Sequence, residues 1–336
     1  MRALAFRRSE GLVLEERSQP HAGAGEAVVR VEACSICGTD LRIASGAHRA
    51  YAHADGRVPG HEVVGVVVEA GDGAAVGEGD RVFVAPNYGC GRCRYCLRGD
   101  VNLCETPRAI GITEDGAFAD YVFLPAELVA QGNLLACRDG FDAGTVALAE
   151  PLACALRGSR ACRIGEGDTV VVFGAGPIGL FHVALARVAG AAEIRVCEPN
   201  IVRRERSLAW GATAGYADAA EVPDGADAVI VAAPVPAAQQ RALELAASGG
   251  RVNFFAGLAR DRSRVELDTN LIHYKELVVT GTTASTNDEC RAALDLIFDG
   301  LVDTASLIDA RFDLSSAREA FELAGSGRAL KVVIEP

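Results

Sequence analysis

The sequence predicts an α/β protein of two domains, and three observations carry that prediction. Short apolar runs broken by glycine fill roughly the first 150 residues; strand-like and helix-like stretches then alternate to about residue 285; and a glycine turn, Gly174-Ala175-Gly176-Pro177-Ile178-Gly179, joins the first strand of that second region to its first helix. With 336 residues, half of them apolar, the chain can build two cores of ordinary size.

In the first region the runs Val28-Val29-Arg30-Val31, Val63 to Val68 and Arg81 to Val84 are rich in β-branched residues and read as strands of an all-β barrel or sandwich. From about 151 the order becomes strand Thr169–Phe173, helix Ile178–Ala189, strand Glu193–Cys197, helix Arg203–Trp210, strand Ala228–Ala232, helix Gln239–Ala247 and strand Arg251–Phe255. Repeated strand-helix-strand succession predicts a doubly wound parallel sheet. The tail holds an amphipathic helix, Asp288 to Phe298, and ends in Lys331-Val332-Val333-Ile334, a strand suited to return to the first domain. The expected domains are 1–150 completed by 286–336, and 151–285.

A net charge of −12 disfavours nucleic acid and anionic membrane surfaces as partners and leaves a small molecule as the expected one. The N-terminal residues alternate as a strand does and lack the basic and apolar blocks of a signal peptide, which predicts a cytoplasmic protein. No apolar run approaches the ~18 residues of a membrane-spanning helix. In that compartment eleven cysteines suggest metal ligation before disulfides.

The glycine turn has the context a dinucleotide site needs. Gly174 allows the tight turn, Gly176 the approach of a pyrophosphate to the backbone, and Gly179 close packing of helix on strand; Pro177 and Ile178 open the helix whose free N–H groups face the phosphates. The next strand ends at Glu198, where an acid would bind the adenosine ribose hydroxyls and repel a 2′-phosphate, so NAD is expected over NADP. Arg203 and Arg204 lie close behind and would partly offset that repulsion. Ala256-Gly257-Leu258 follows the strand Arg251–Phe255 in a loop expected to line the nicotinamide.

Two cysteine sets point to metals. Cys90, Cys93, Cys96 and Cys104 form C-x2-C-x2-C-x7-C in a glycine-rich loop, a spacing that closes a tetrahedral shell around structural zinc; an iron-sulfur cluster also takes four cysteines. The second set is dispersed: Cys37 in Cys37-Gly38-Thr39-Asp40, His61 and Glu62 after Gly60, and Glu150 before Pro151. One cysteine, one histidine and carboxylates suit an open zinc site that leaves a position for a substrate oxygen.

These motifs, with Gly79-Asp80-Arg81-Val82 between them, follow one another in the order and at the spacing of the zinc-containing medium-chain dehydrogenase/reductase family, which the chain resembles along its whole length. Glu62 after His61 and Glu150-Pro151-Leu152 resemble the sorbitol/iditol (polyol) branch and its threonine dehydrogenase neighbours. The resemblance implies a GroES-like β-barrel catalytic domain with a Rossmann domain inserted, an active site in the cleft, Cys37 and His61 as catalytic zinc ligands, and Glu62 or Glu150 as the third. It also implies that Thr39 takes the substrate proton, and that the protein is a homodimer or homotetramer. One departure stands out: many relatives have histidine two residues after the aspartate of the Cys-Gly-Thr/Ser-Asp motif, where this chain has Arg42.

The activity expected is hydride transfer between a secondary alcohol, as a polyol, cyclitol or aminocyclitol, and NAD. An L-threonine or simple secondary-alcohol dehydrogenase is the alternative enzyme reading. A nicotinamide-binding regulator without catalysis is the alternative of another class, and it predicts damaged ligands where Cys37, His61, Glu62 and Glu150 stand.

Overall fold

The computed structural model describes residues 1–336. It divides into two compact units, one of residues 1–151 with 284–336 and the other of residues 152–283.

The first unit is organised by a seven-stranded sheet. Its strands run in the order Ile308–Asp313, Lys331–Glu335, Ala27–Ser35, Glu62–Ala70, Arg81–Val84 and Leu134–Ala136, with Tyr121–Leu124 pairing the first half of Ala27–Ser35. Valine dominates because both faces are covered: Val28, Val29, Val63, Val64 and Val84 are wholly buried. The last strand of the chain pairs antiparallel with the second half of Ala27–Ser35, Val333 opposite Ser35 and Ile334 opposite Cys34. That return brings Lys331 beside the C-terminal end of Ala27–Ser35, where its Nζ reaches Ile36 O.

The unit is not all-β. Short helices Gly38–Ala44, Ala126–Ala130 and Ala143–Ala147 interrupt it. Each is too short to show helical periodicity in the sequence; Ala143–Ala147 is started by a cap, Asp142 accepting from the Thr145 N–H at 2.9 Å, whereas Ala126–Ala130 follows Pro125 without one. The longer helix Asn287–Phe298 opens on a reciprocal capping box between Thr286 and Glu289.

The second unit carries six parallel strands in the order Ala214–Tyr216, Glu193–Cys197, Thr169–Phe173, Ala226–Val231, Ala246–Phe254 and Val278–Gly281. Thr169–Phe173, the first strand of this unit in the chain, sits between Glu193–Cys197 and Ala226–Val231, which both follow it, so the order reverses beside it. The chain leaves that strand directly into the glycine turn and the helix Pro177–Val188. The helix expected over Gln239–Ala247 spans Pro236–Leu245, because Pro236 is favoured at a first helical position and Ala246 already begins the next strand. No helix is long and apolar enough to cross a membrane.

Candidate metal centres and dinucleotide site

Cys90, Cys93, Cys96 and Cys104 bring their sulfurs together within 4.8 Å of one another. Cys93 Sγ lies 3.5 Å from Cys96 Sγ and 3.8 Å from Cys104 Sγ. Tetrahedral zinc with Zn–S bonds of about 2.3 Å would set its ligand sulfurs about 3.8 Å apart, so the loop is folded to the size of that ion. Backbone N–H groups stabilise thiolates here: Cys90 N–H donates to Cys104 Sγ at 3.2 Å and Thr106 N–H to the same sulfur at 3.4 Å. N–H donors at Cys96 and Glu105 draw the Cys93 thiol down to about 6, whereas burial and the neighbouring Cys93 push Cys96 up to about 12. A side chain at Gly89 would place its Cβ 2.4 Å from Cys96 Sγ, so the sulfur cluster requires glycine there.

The dispersed set also converges. Cys37, His61 and Glu62 offer ligand atoms within 4.8 Å of one another. Cys37 caps the helix Gly38–Ala44, and its N–H donates to Asp40 Oδ2 at 2.9 Å. His61 immediately precedes the strand Glu62–Ala70. It follows Gly60, whose φ of +103° and close packing, 2.8 Å from a built Cβ to Phe118 N, exclude any other residue. Asp40 is wholly buried with Oδ1 3.5 Å from His61 Nδ1, and neither atom has a hydrogen-bond partner. Burial pulls the His61 ring down, but the charge of Asp40 and the nearness of Cys37 outweigh it and raise its proton affinity. Buried anionic donors around an imidazole, with polar atoms left unpaired, fit a cation better than a proton.

The two glutamates differ. Glu62 is wholly buried within the group, and Lys331 Nζ donates to its Oε1 at 2.8 Å while Ser35 Oγ donates to Oε2. Glu150 is also buried, as the second residue of the helix Ala149–Ala161, but stands outside the set whose ligand atoms lie within 4.8 Å. Its charge reaches Lys331, so it borders the same region.

Thr39 sits in the first turn of the helix that Cys37 caps, and Arg42 Nη2 donates to its Oγ1 at 3.1 Å. Asp40, Ser35 and Lys331 complete this centre without having been singled out from the sequence. Asp40 lies inside a quoted motif and could have been found there; Lys331 stands 269 residues from Glu62, the residue it pairs with.

In the second unit, Gly174 adopts φ +96°, and a Cβ at Gly179 would stand 1.9 Å from Gly174 O. At Gly176 a Cβ would meet nothing within 4 Å, so the space above the helix N-terminus is open, as a bound pyrophosphate requires. Pro177 occupies the first turn and Ile178 follows it. The Glu198 carboxylate accepts from Ala175 N–H at 2.8 Å and from Asn200 N–H at 3.0 Å, so the acid braces the turn as well as standing at the strand end. Arg203 is held by its backbone, whose N–H donates to the Asn200 cap, and Arg204 Nη1 turns back onto Glu198 O at 2.7 Å. Ala256 N–H donates to Val231 O at 2.9 Å, and Gly257 beside Leu258 again faces open space.

Residues 23–136 match the family described as alcohol dehydrogenase GroES-like domain, and residues 177–299 match that described as zinc-binding dehydrogenase. The chain is 33% identical over 331 residues to an L-threonine 3-dehydrogenase of Bacillus licheniformis, covering 94% of this chain and 93% of that protein. It superposes with a TM-score of 0.91 on a structure from Sinorhizobium meliloti 1021, assigned as a zinc-binding dehydrogenase and bound to NADP, at 32% identity over 100% of this chain and 99% of the other. A structure from Escherichia coli CFT073, described as a short chain alcohol dehydrogenase complexed with NADH, gives a TM-score of 0.90 at 28% identity over the same shares. The likeness therefore runs from end to end and joins both kinds of site in one chain. The protein belongs to the zinc-containing medium-chain alcohol dehydrogenase family and is an enzyme of its zinc-dependent, NAD(P)-using type.

Proposed function

We propose that this enzyme oxidises a secondary alcohol carrying further polar groups, as in a polyol, cyclitol or aminocyclitol, to the ketone with NAD, or runs the reverse reaction. The convergence of Cys37, His61 and Glu62 beside Thr39 is the observation that carries the reading. Cys37, His61 and Glu62 would hold the catalytic zinc with Glu150 close by, and Cys90, Cys93, Cys96 and Cys104 the structural one. When bound, zinc supplies Lewis-acid polarisation that lowers the pKa of an alcohol.

The protein's part is positional. Asp40 sets its negative charge 3.5 Å from His61 Nδ1, and Lys331 and Ser35 hold Glu62. The Thr39 hydroxyl would accept the substrate proton and release its own outward. Arg42 donates to Thr39 and is an always-protonated donor, so it cannot take that proton. Gly174, Gly176 and Gly179 would seat the pyrophosphate, with Ala256, Gly257 and Leu258 near the nicotinamide. Glu198 favours NAD by repelling a 2′-phosphate.

A second reading, oxidation of L-threonine at its secondary alcohol, draws support from the end-to-end relatives of that name. A regulator without catalysis is disfavoured because all the candidate ligands are present. We further place the protein in the cytoplasm as a homodimer or homotetramer joined through its nucleotide-binding units; the open edge strand Val278–Gly281, with Val278 and Tyr274 exposed, supports that assembly. The test is NADH formation, followed by absorbance, against sugar alcohols, cyclitols, aminocyclitols, L-threonine and short secondary alcohols with NAD and NADP in parallel. Chelator-sensitive turnover of a polyol or cyclitol with NAD supports the first reading; turnover confined to L-threonine replaces it with the second.

A further inference from the structure

Arg42 stands where its direction can be read. Side chains on a helix tilt toward its N-terminus, so a residue three positions past Thr39 lies over the turn that begins at Cys37. The hydrogen bond from Arg42 Nη2 to Thr39 Oγ1 confirms that placement. The guanidinium is exposed, and its remaining donors are not taken up by a carboxylate. Several arginines of the same unit are instead paired with carboxylates: Arg2 with Asp120, Arg7 with Glu15, Arg81 with Glu32 and Arg311 with Asp142.

Arg42 is not an isolated charge. Arg49 opens the next turn, Arg49–Tyr51, and is likewise exposed without an ion pair. His48, between them, accepts from Ala50 N–H through Nδ1. Burial first, then the charges of Arg42 and Arg49, hold its ring below the usual histidine range, so it is neutral at pH 7 and carries its proton on Nε2. The charges of His61 and Asp40 also act on His48, and Arg42 is tied to the proposed reaction centre by its bond to Thr39. In a chain of net charge −12, this is a local concentration of cationic and donor groups beside the residue that meets the substrate hydroxyl.

We propose that Arg42, assisted by Arg49 and His48, forms an anion subsite next to the reacting hydroxyl, so that the alcohol this enzyme oxidises carries a carboxylate or phosphate within one or two carbons of the carbinol. The planar guanidinium fork suits either oxyanion, and its bond to Thr39 keeps it at the distance such a group would occupy. This rests on the reading of Cys37, Thr39 and His61 as the reaction centre. It narrows the substrate class to an acidic or phosphorylated polyol, or a β-hydroxy-α-amino acid.

The test compares zinc-loaded wild type, Arg42→Gln, Arg42→Lys and Arg49→Gln on sorbitol, gluconate, sorbitol 6-phosphate, L-threonine and 2,3-butanediol, with inorganic phosphate and acetate as competing anions. The expected result is a kcat/KM for at least one anionic alcohol about tenfold or more above that for the neutral ones. Arg42→Gln should lower that preference about tenfold while Arg42→Lys retains part of it. Phosphate or acetate should compete with the alcohol in wild type and do so more weakly in Arg42→Gln. Preference for the carboxylate or the phosphate substrate identifies which anion the subsite takes. Turnover of neutral alcohols alone, an Arg42→Gln loss equal for neutral and anionic substrates, or a loss expressed only in the KM for NAD would overturn the anion subsite and leave the dehydrogenase reading standing. Silence with every alcohol, in zinc-loaded protein that still binds NADH, would overturn both.

Discussion

Lys331, on the last strand of the chain, donates from Nζ to the carboxylate of Glu62, 2.8 Å from Oε1, and neither side chain meets solvent appreciably. The pair lies against Cys37 and His61, so one of the buried carboxylates offered to a metal is already neutralised by a cation. Lys331 also donates to Ile36 O at 3.3 Å, which spends its remaining protons on the same strand end. A buried carboxylate held this way needs its partner more than the partner adds to stability, because desolvation offsets most of the Coulombic gain.

Removing the cation should therefore be costly. Lys331→Met is expected to lower the unfolding free energy of the zinc-free chain by about 3–5 kcal/mol. Zinc should restore part of that loss if Glu62 is a ligand, since the metal then replaces the missing charge; equal loss with and without zinc would count against Glu62. Burial pulls the Lys331 ammonium down, but Glu62 outweighs it and holds it above its usual 10.5. The contribution of the pair is accordingly whole below pH 10.5 and disappears as pH rises through the raised value, which a series of alkaline melting curves on wild type and Lys331→Met would reveal.

The two glutamates can be separated by metal affinity. Glu62→Gln should weaken zinc binding about 10–100-fold and Glu150→Gln by less, measured by competition with a chromophoric chelator. The opposite ranking would move the third ligand to Glu150.

The four-cysteine lobe should behave as a separate metal unit. Cys93→Ser is expected to remove one zinc per chain, by elemental analysis, and to make residues 91–103 the first point of proteolytic cleavage. Unchanged metal content would show that the four sulfurs do not close around an ion.

Gly176 and Gly179 should fail in different ways. Gly176→Ala adds a Cβ into open space, so Tm should hold while the Kd for NADH rises about tenfold through lost approach to the phosphates. Gly179→Ala drives a Cβ to 1.9 Å from Gly174 O and should lower Tm by several degrees. NADH fluorescence titration and thermal melting together distinguish the two.

Glu198 has two roles in the structure, and its substitution should show both. Glu198→Ala removes the acceptor for Ala175 N–H and Asn200 N–H, at a stability cost of about 1–2 kcal/mol, and shifts the NAD over NADP preference toward NADP. A variant with intact cofactor preference would assign Glu198 to bracing the turn alone.

Much of this molecule is written locally. The alternation after residue 151, the glycine turn between Phe173 and Leu180, and the fifteen-residue spacing of Cys90 to Cys104 are each short enough for neighbouring residues to dictate, so periodicity and spacing reveal them. The short helices of the first unit are not legible in this way, because five to seven residues cannot display a 3.6-residue period.

What the sequence by itself determined is which donors exist: the thiols, His61, the two glutamates and the glycines at the dinucleotide turn. Tertiary structure alone decided how they are used. It drew Glu62 rather than Glu150 into the group with Cys37 and His61, set Lys331 on Glu62 from the opposite end of the chain, and brought Asp40 to His61. The physical reason is that ligation and charge pairing depend on distances of a few ångströms between residues far apart in the chain, and only the pairing of Lys331–Glu335 with Ala27–Ser35, and of Ala27–Ser35 with Glu62–Ala70, sets those distances.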